Sequence, residues 1–260
     1  MLNGRALVTG AGTRLGRAMA LYLASRGLDV AVHYMASRSA ADEVVDQIRN
    51  QGQKAVAIRA DLLDESQMQS LVPEAARLLG GALTVLVNNA SVFEYDNLSS
   101  ASRNSWDRHI ESNLRAPFVL TQAFAAQIPS SQNDQNGEPI APGLIVNMVD
   151  QRVQKLTPEF MTYTIAKMGL WAFTQTAAQS LAPAVRVNAI GPGPTLIGAR
   201  QSQSHFSKQR AGTPLQRGAN PEDINSALGY LLDSHSVTGQ LLLVDGGQHL
   251  GWQTPDVVGK

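Results

Sequence analysis

"VTGAGTRLGRAMA" (residues 8–20) joins a short apolar run to a helical pattern. Its glycines, Gly10, Gly12 and Gly16, are spaced G-x-G-x-x-x-G rather than G-x-G-x-x-G. Small residues at such a turn let the backbone approach a pyrophosphate. The N-terminus of the following helix adds N–H groups and the positive end of its dipole. Taken alone, a turn that merely needs positive φ would read the same way. Placement between a first strand and a first helix is what favours nucleotide binding.

Outward from this turn, short apolar runs alternate with longer helical patterns. The runs are "RALVTG" (5–10), "LDVAVHY" (28–34), "KAVAIRA" (54–60), "LTVLVNN" (83–89), "GLIVNMV" (143–149), "VRVNAIG" (185–191) and "QLLLVDG" (240–246). They are continuous rather than alternating, as in strands buried on both faces. Helices are expected near 14–26, 39–51, 65–79, 102–128, 158–182 and 221–233. The alternation predicts an α/β fold, a doubly wound seven-stranded parallel sheet of Rossmann type with helices on both faces. Residues 1–260 read as a single domain, with no boundary and no short-period repeat.

Two stretches break the rhythm. "SSQNDQNGEPIAPG" (130–143) is polar and punctuated by Gly and Pro, the pattern of a surface loop. "PGPTLIGARQSQSHFSKQRAGTPLQ" (192–216) is long for a strand-to-helix connection. It leaves the sixth strand at its carboxyl end, where open α/β sheets bind ligands. Its segment 194–212 is the expected substrate loop.

Composition narrows the function classes. The 260 residues are 43% hydrophobic and 16% charged, enough to bury a core. Lys+Arg and Asp+Glu are both 21, so the net charge is +0 and neither a nucleic-acid surface nor a basic membrane arm is expected. There are no cysteines, which excludes disulfides, thiolate catalysis and cysteine-ligated zinc. The 5 histidines are scattered without metal-ligand spacing, so no metal site is expected. No signal-peptide pattern precedes "RALVTG", and no apolar run approaches the ~18 residues of a membrane span. The expectation is a cytoplasmic protein.

The second strand indicates which nucleotide is bound. A carboxylate at its end would accept hydrogen bonds from a ribose 2′-OH. Here the strand ends in His33 and Tyr34, and no acid occurs before Asp42. Arg38, flanked by Ser37 and Ser39, can instead grip a 2′-phosphate, and Arg14 adds charge on the facing turn. NADPH is therefore the expected cofactor. Asp61, just past the third strand, could meet an adenine amino group or cap the next helix.

"GLIVNMVDQRV" (143–153) carries an acid, Asp150, at the tip of a buried strand. Tyr163 and Lys167 follow at i and i+4 of one helix and share a face. A phenol of pKa about 10 is a poor acid or base near neutral pH. A lysine one turn away is expected to lower that value by favouring the phenolate.

Together these residues resemble the short-chain dehydrogenase/reductase family over nearly the whole chain. The resemblance rests on "TGAGTRLG" (9–16), "DL" (61–62), "NNAS" (88–91), Asn113 in "ESNLRAPF", "YTIAK" (163–167), "NAIGPG" (188–193) and "VTGQLLLVDGG" (237–247). Within the family the chain is most similar to pteridine reductases. Arg14 stands where other relatives have Gly, "HY" ends the second strand and "RSAA" opens the next helix. Ser91 and Phe93 match the pteridine-reductase pattern, and "NMVD" replaces the usual "NxSS".

The resemblance implies a cofactor site made of Gly10, Thr13, Arg14, Leu15, Gly16, His33, Tyr34, Arg38, Ser39, Asp61, Leu62, Asn89, Ala90, Ser91, Tyr163, Lys167, Pro192, Gly193 and Thr195. It implies substrate contacts from Arg14, Ser91, Phe93, Asp150 and Tyr163, with Phe93 stacked on a pterin. Asp150 and Tyr163 would protonate a ring nitrogen, Lys167 would bind the nicotinamide ribose and Asn113 would hold a water. The implied reaction is NADPH-dependent reduction of a 7,8-dihydropterin to a tetrahydropterin, a step of folate-type metabolism. Dihydrofolate is a further substrate if the loop admits its tail. A homotetramer is implied, built on the helices 102–128 and 158–182, with Trp252 in the tail "GGQHLGWQTPDVVGK" at a subunit interface. Two alternatives stay open: a carbonyl or 3-oxoacyl reductase of the same family, and a non-catalytic NADP(H)-binding sensor.

Overall fold

The computed structural model describes residues 4–198 and 201–252. The chain begins β1 (Arg5–Val8), α1 (Arg14–Ser25), β2 (Asp29–Tyr34), α2 (Arg38–Asn50), β3 (Ala55–Arg59), α3 (Glu65–Leu79) and β4 (Val85–Asn88). It continues α4 (Arg103–Ile110), α5 (Ala116–Gln127), β5 (Gln132–Asn133), β6 (Pro139–Ile140), β7 (Gly143–Met148) and α6 (Met161–Leu181). It closes with β8 (Val185–Pro192), α7 (Gln203–Ala211), α8 (Pro221–Asp233) and β9 (Leu241–Val244).

Seven strands form one sheet in the order β3-β2-β1-β4-β7-β8-β9, and every neighbouring pair is parallel. This is the doubly wound sheet that the alternating pattern predicts. The strand order reverses between β1 and β4, which opens a crevice above their carboxyl ends.

The uninterrupted apolar runs follow from burial on both faces. In β1, Ala6 and Val8 join one core cluster while Leu7 joins the other. In β4, Val85 and Val87 divide from Leu86 in the same way, and in β7 Leu144, Val146 and Met148 divide from Ile145. Successive side chains point to opposite faces, so apolar residues follow one another along each strand, and the buried polar exceptions, such as Asn88 and Asn147, bond to each other. One layer packs α1, α2 and α8 on the sheet, and the other packs α3, α5 and α6. Local signals fix the helix ends. Asp64 caps α3 by accepting from the N–H groups of Ser66 and Gln67, and Gly80 ends it at φ 82°.

Several boundaries differ from expectation. The helix expected over 102–128 is interrupted by a π-helical turn at Glu111–Arg115, closed by Ala116 N–H donating to Glu111 O. The helix expected from 158 starts at Met161, because Phe160 sits in the left-handed region at φ 55°. The polar stretch 130–143 contains the small hairpin β5–β6, and the long stretch 192–216 contains α7. Residues of α7 are mostly polar and none is buried, so hydrophobic periodicity had little to report there. Among the described residues, no helix is long and apolar enough to cross a membrane.

Candidate active site

The Gly-rich turn is held from three sides. Gly10 takes φ 63°, a conformation that favours glycine. A Cβ on Gly16 would lie 2.2 Å from Gly10 O, so the helix must start without a side chain there. Thr9 Oγ1 accepts from Asn89 N–H and Ala90 N–H, both at 2.9 Å, and Asn89 Nδ2 donates to Thr9 O at 2.8 Å. These bonds lock the turn to the "NNAS" segment. Thr13 is the N-cap of α1 but makes no side-chain capping bond, which leaves the first N–H groups of the helix able to meet an anion.

His33 and Tyr34 need correction as nucleotide contacts. His33 is 2% exposed and lies beneath the turn. Its Nδ1 accepts from Gly10 N–H at 2.9 Å, so Nε2 carries the proton and donates to Ala60 O at 3.0 Å. Burial lowers its pKa to about 4, which keeps the ring neutral. Tyr34 packs into the core. The His33 side chain supports the turn from inside because continuous burial draws the end of β2 under it. Leu62 is likewise a core residue.

Other expected cofactor residues lie around the crevice. Arg38 and Ser39 are exposed at the start of α2, where Arg38 Nε donates to Asp42 Oδ2 at 3.3 Å. Asp61 does not cap α3, since Asp64 does. Asp61 Oδ1 instead accepts from Leu63 N–H at 3.0 Å. Leu15 is half-buried on α1. Pro192 ends β8, Gly193 packs against Asp245, and Thr195 Oγ1 donates to Gly193 O at 3.1 Å. Arg14, at φ 54°, donates to Ile197 O at 2.8 Å and Leu196 O at 3.1 Å. It therefore ties the Gly-rich turn to the loop after β8. Residues 199–200 of that loop lie outside the described residues.

Asp150, Tyr163 and Lys167 converge at the end of β7. Tyr163 Oη donates to Asp150 Oδ2 at 3.0 Å. Asp150 Oδ1 accepts from Arg152 N–H at 2.8 Å, which fixes the carboxylate. Lys167 Nζ donates to Met148 O at 2.7 Å and lies 5.6 Å from the centre of the Tyr163 ring. Burial raises the Asp150 pKa despite the bond from Arg152. Burial, and then the charge of Asp150, raises Tyr163 well above the usual phenol value. Burial lowers Lys167 to about 8.

Burial and Asp150, rather than the expected influence of Lys167, set the direction at Tyr163. The ammonium is bonded to a strand carbonyl, while the group next to the hydroxyl is a carboxylate. Tyr163 is thus held protonated, with its hydrogen bond pointing at an acid that itself takes up a proton easily. The pair therefore holds its protons tightly and yields one only to a strong base.

Asn113 sits in the π-helical turn. Its Oδ1 accepts from Ser91 Oγ at 2.6 Å and its Nδ2 donates to Val92 O at 2.9 Å. The amide bridges the helix to the "NNAS" loop, so both ends of the side chain have protein partners. Phe93 is 47% exposed and stands edge-on to Tyr163 with ring centres 4.7 Å apart. It belongs to the site rather than the core.

Sequence reasoning missed part of this wall. Phe160 stacks on Phe93 at 4.5 Å and 12°, Tyr95 meets Phe160 edge-on, and Arg152 lies over Phe160 at 4.9 Å. Behind Tyr163, His109 Nδ1 bonds to Thr162 Oγ1 at 2.6 Å, and Thr162 Oγ1 donates to Asp96 Oδ2. His109 Nε2 accepts from Glu94 N–H at 3.1 Å, which assigns the proton to Nδ1 and gives the chain one direction. Burial alone would raise the Asp96 carboxyl, yet its hydrogen bonds from Thr162 hold it below the usual range. The "YTIAK" motif, Phe93 and Asp150 pointed to this region without naming these partners. Among the described residues no group of His, Asp or Glu could hold a metal ion.

A crevice at the strand reversal, a Gly-rich turn and a Tyr–Lys pair define a nucleotide-dependent reductase fold. Residues 10–249 match the family described as "Enoyl-(Acyl carrier protein) reductase". The chain belongs to the short-chain dehydrogenase/reductase family and is an oxidoreductase of that family. Among its relatives is the 3-oxoacyl-[acyl-carrier-protein] reductase FabG of Staphylococcus aureus, 31% identical over 94% of this chain and 98% of that one. Among solved structures, FolM alternative dihydrofolate reductase 1 from Brucella suis in complex with NADP is 39% identical. It matches with a TM-score of 0.91 over 98% of this chain and 99% of that one. A short chain dehydrogenase from Burkholderia cenocepacia in complex with NADP is 30% identical, with a TM-score of 0.85 over 94% and 97%.

Proposed function

We propose that this oxidoreductase uses NADPH to reduce a 7,8-dihydropterin, with dihydrofolate among the substrates. The observation that carries the reading is the hydrogen bond from Tyr163 to Asp150 at 3.0 Å. A carboxylate beside the tyrosine repels the oxyanion that a carbonyl becomes on accepting hydride. A C=N bond has the opposite need, because its nitrogen takes up a proton as its carbon takes the hydride. NADPH, when bound, supplies the hydride. Tyr163 donates its hydroxyl proton to the ring nitrogen, and Asp150, which itself takes up a proton easily, delivers the replacement.

The turn fits that cofactor. A Cβ at Gly16 would collide with Gly10 O, so its absence lets the turn close tightly on the start of α1, and Arg38 stands exposed at the start of α2, available to a 2′-phosphate. Lys167, charged below about pH 8, serves the nicotinamide ribose, and Phe93 offers its ring to the pterin. The solved FolM structures in complex with NADP support the same reading at 39% and 38% identity. Exposed apolar side chains on α4, α5 and α6, among them Trp106, Phe118, Ile165 and Met168, support a homotetramer built on those helices. Trp252, exposed after β9, is a further candidate for a subunit interface, whereas residues 253–260 lie outside the described residues.

The FabG relatives favour a second reading, reduction of a 3-oxoacyl thioester. A steady-state panel separates the two. Dihydrobiopterin, dihydromonapterin, dihydrofolate and a 3-oxoacyl thioester are offered with NADPH and with NADH. Turnover of a dihydropterin with NADPH supports the first reading. Turnover of the thioester alone supports the second.

A further inference from the structure

Phe160 is held where a phenylalanine is not at ease. Its φ of 55° lies in the left-handed region, which costs a side chain with a Cβ about 1–2 kcal/mol. The surroundings impose it: Phe160 N–H donates to Asp96 O at 2.7 Å, and Phe160 O accepts from Thr164 N–H at 2.8 Å. Strain that the framework enforces tends to mark functional sites. Its result here is to hold the Phe160 ring against Phe93, which touches Tyr163.

Arg152 completes that wall. Its guanidinium carbon lies 4.9 Å from the centre of the Phe160 ring, and Nη1 donates to Thr157 Oγ1 at 2.7 Å. Its backbone N–H holds Asp150, so the guanidinium stands two residues from the acid of the site. It acts on Asp150 at longer range, favouring the charged carboxylate. Among the described residues it makes no ion pair, although ten such pairs occur elsewhere. A planar cation, oriented by an aromatic face and one side-chain bond, keeps donors for a carboxylate that comes from outside.

We propose that Arg152 and the aromatic wall of Phe160 and Tyr95 form a subsite for a carboxylate-bearing aromatic tail, such as the p-aminobenzoyl-glutamate of dihydrofolate. The inference rests on the pterin reading and names the residue that lets the site tell folates from tail-less pterins. Tyr95, half exposed and edge-on to Phe160, widens the apolar surface beside the cation. An aromatic tail packs along these rings, and its carboxylate meets the guanidinium.

The test is a KM-against-kcat comparison of wild type, Arg152→Gln and Arg152→Lys, each with NADPH and with dihydrofolate or 7,8-dihydrobiopterin. Arg152→Gln should raise KM for dihydrofolate at least about tenfold, the scale of a charge-assisted contact. Its KM for dihydrobiopterin should move by less than about threefold on the same scale. Arg152→Lys keeps the charge but not the planar fork, and should fall between. Free p-aminobenzoyl-glutamate should inhibit the wild type more strongly than Arg152→Gln. Equal shifts for both substrates, no shift for either, or a wild type that reduces dihydrobiopterin but not dihydrofolate would overturn the subsite. A wild type that reduces no pterin at all would overturn the pterin reading and the subsite with it.

Discussion

The hydroxyl of Tyr163 points at Asp150, across 3.0 Å, and not at Lys167. Lys167 spends its hydrogen bond on the last carbonyl of β7, at Met148. The Tyr163 hydroxyl proton therefore lies against the carboxyl of Asp150, and burial pushes both groups toward their protonated forms. This arrangement yields a proton only to a strong base, such as the nitrogen of a C=N bond whose carbon receives hydride.

His33 sets a stability–pH slope. Its folded pKa of about 4 is depressed below the ordinary histidine value of 6.5. Its contribution is fully present above 6.5 and is lost as pH falls toward 4, because the unfolded state binds the proton first. The loss over that window amounts to about 3 kcal/mol. Asp150, with its raised pKa, has the opposite sign, so the slope must be read as a difference between variants. Urea unfolding of wild type and His33→Gln between these pH values should converge toward acid. Parallel curves would remove His33 from the account.

Thr162 links His109 to Asp96 behind Tyr163. Thr162→Val keeps the shape but leaves a histidine N–H and a carboxylate oxygen without that partner. An unsatisfied buried group costs about 1–3 kcal/mol, so unfolding free energy should fall by at least that much. A change within ~0.5 kcal/mol, the usual range of a surface substitution, would mean that the chain is not a stabilising unit.

Arg38 tests the cofactor choice. Its surface pair with Asp42 contributes little by itself. A contact to a 2′-phosphate is worth about 1.5–3 kcal/mol, one to two orders of magnitude in kcat/KM. Arg38→Ala should reduce the preference for NADPH over NADH by that factor. An unchanged ratio would place the phosphate elsewhere.

The sheet and most of its helices were legible because the strands are buried on both faces, which writes burial into the sequence as unbroken runs. "VTGAGTRLG", Tyr163, Lys167 and Asp150 were legible because turn chemistry and helical spacing are local. His33 misled because a residue at a strand end can face the ligand or the core, and no periodicity separates the two. Phe160, Tyr95, Arg152 and the His109–Thr162–Asp96 chain were not legible, since each acquires its role from partners distant in sequence. The left-handed Phe160 has no local signature at all. The bond from Lys167 to Met148 O was not legible, because i,i+4 spacing places two groups on one face without saying where a long side chain sends its bond.

The most direct measurement is the rate of dihydropterin reduction by Asp150→Ser, with NADPH binding verified by nicotinamide fluorescence. Serine restores the residue usual at this position in the resembled family and removes the acid. The predicted result is a fall of at least ~10²-fold in kcat, the scale of an acid–base contribution, with cofactor binding retained. An undiminished rate of dihydropterin reduction would contradict the account.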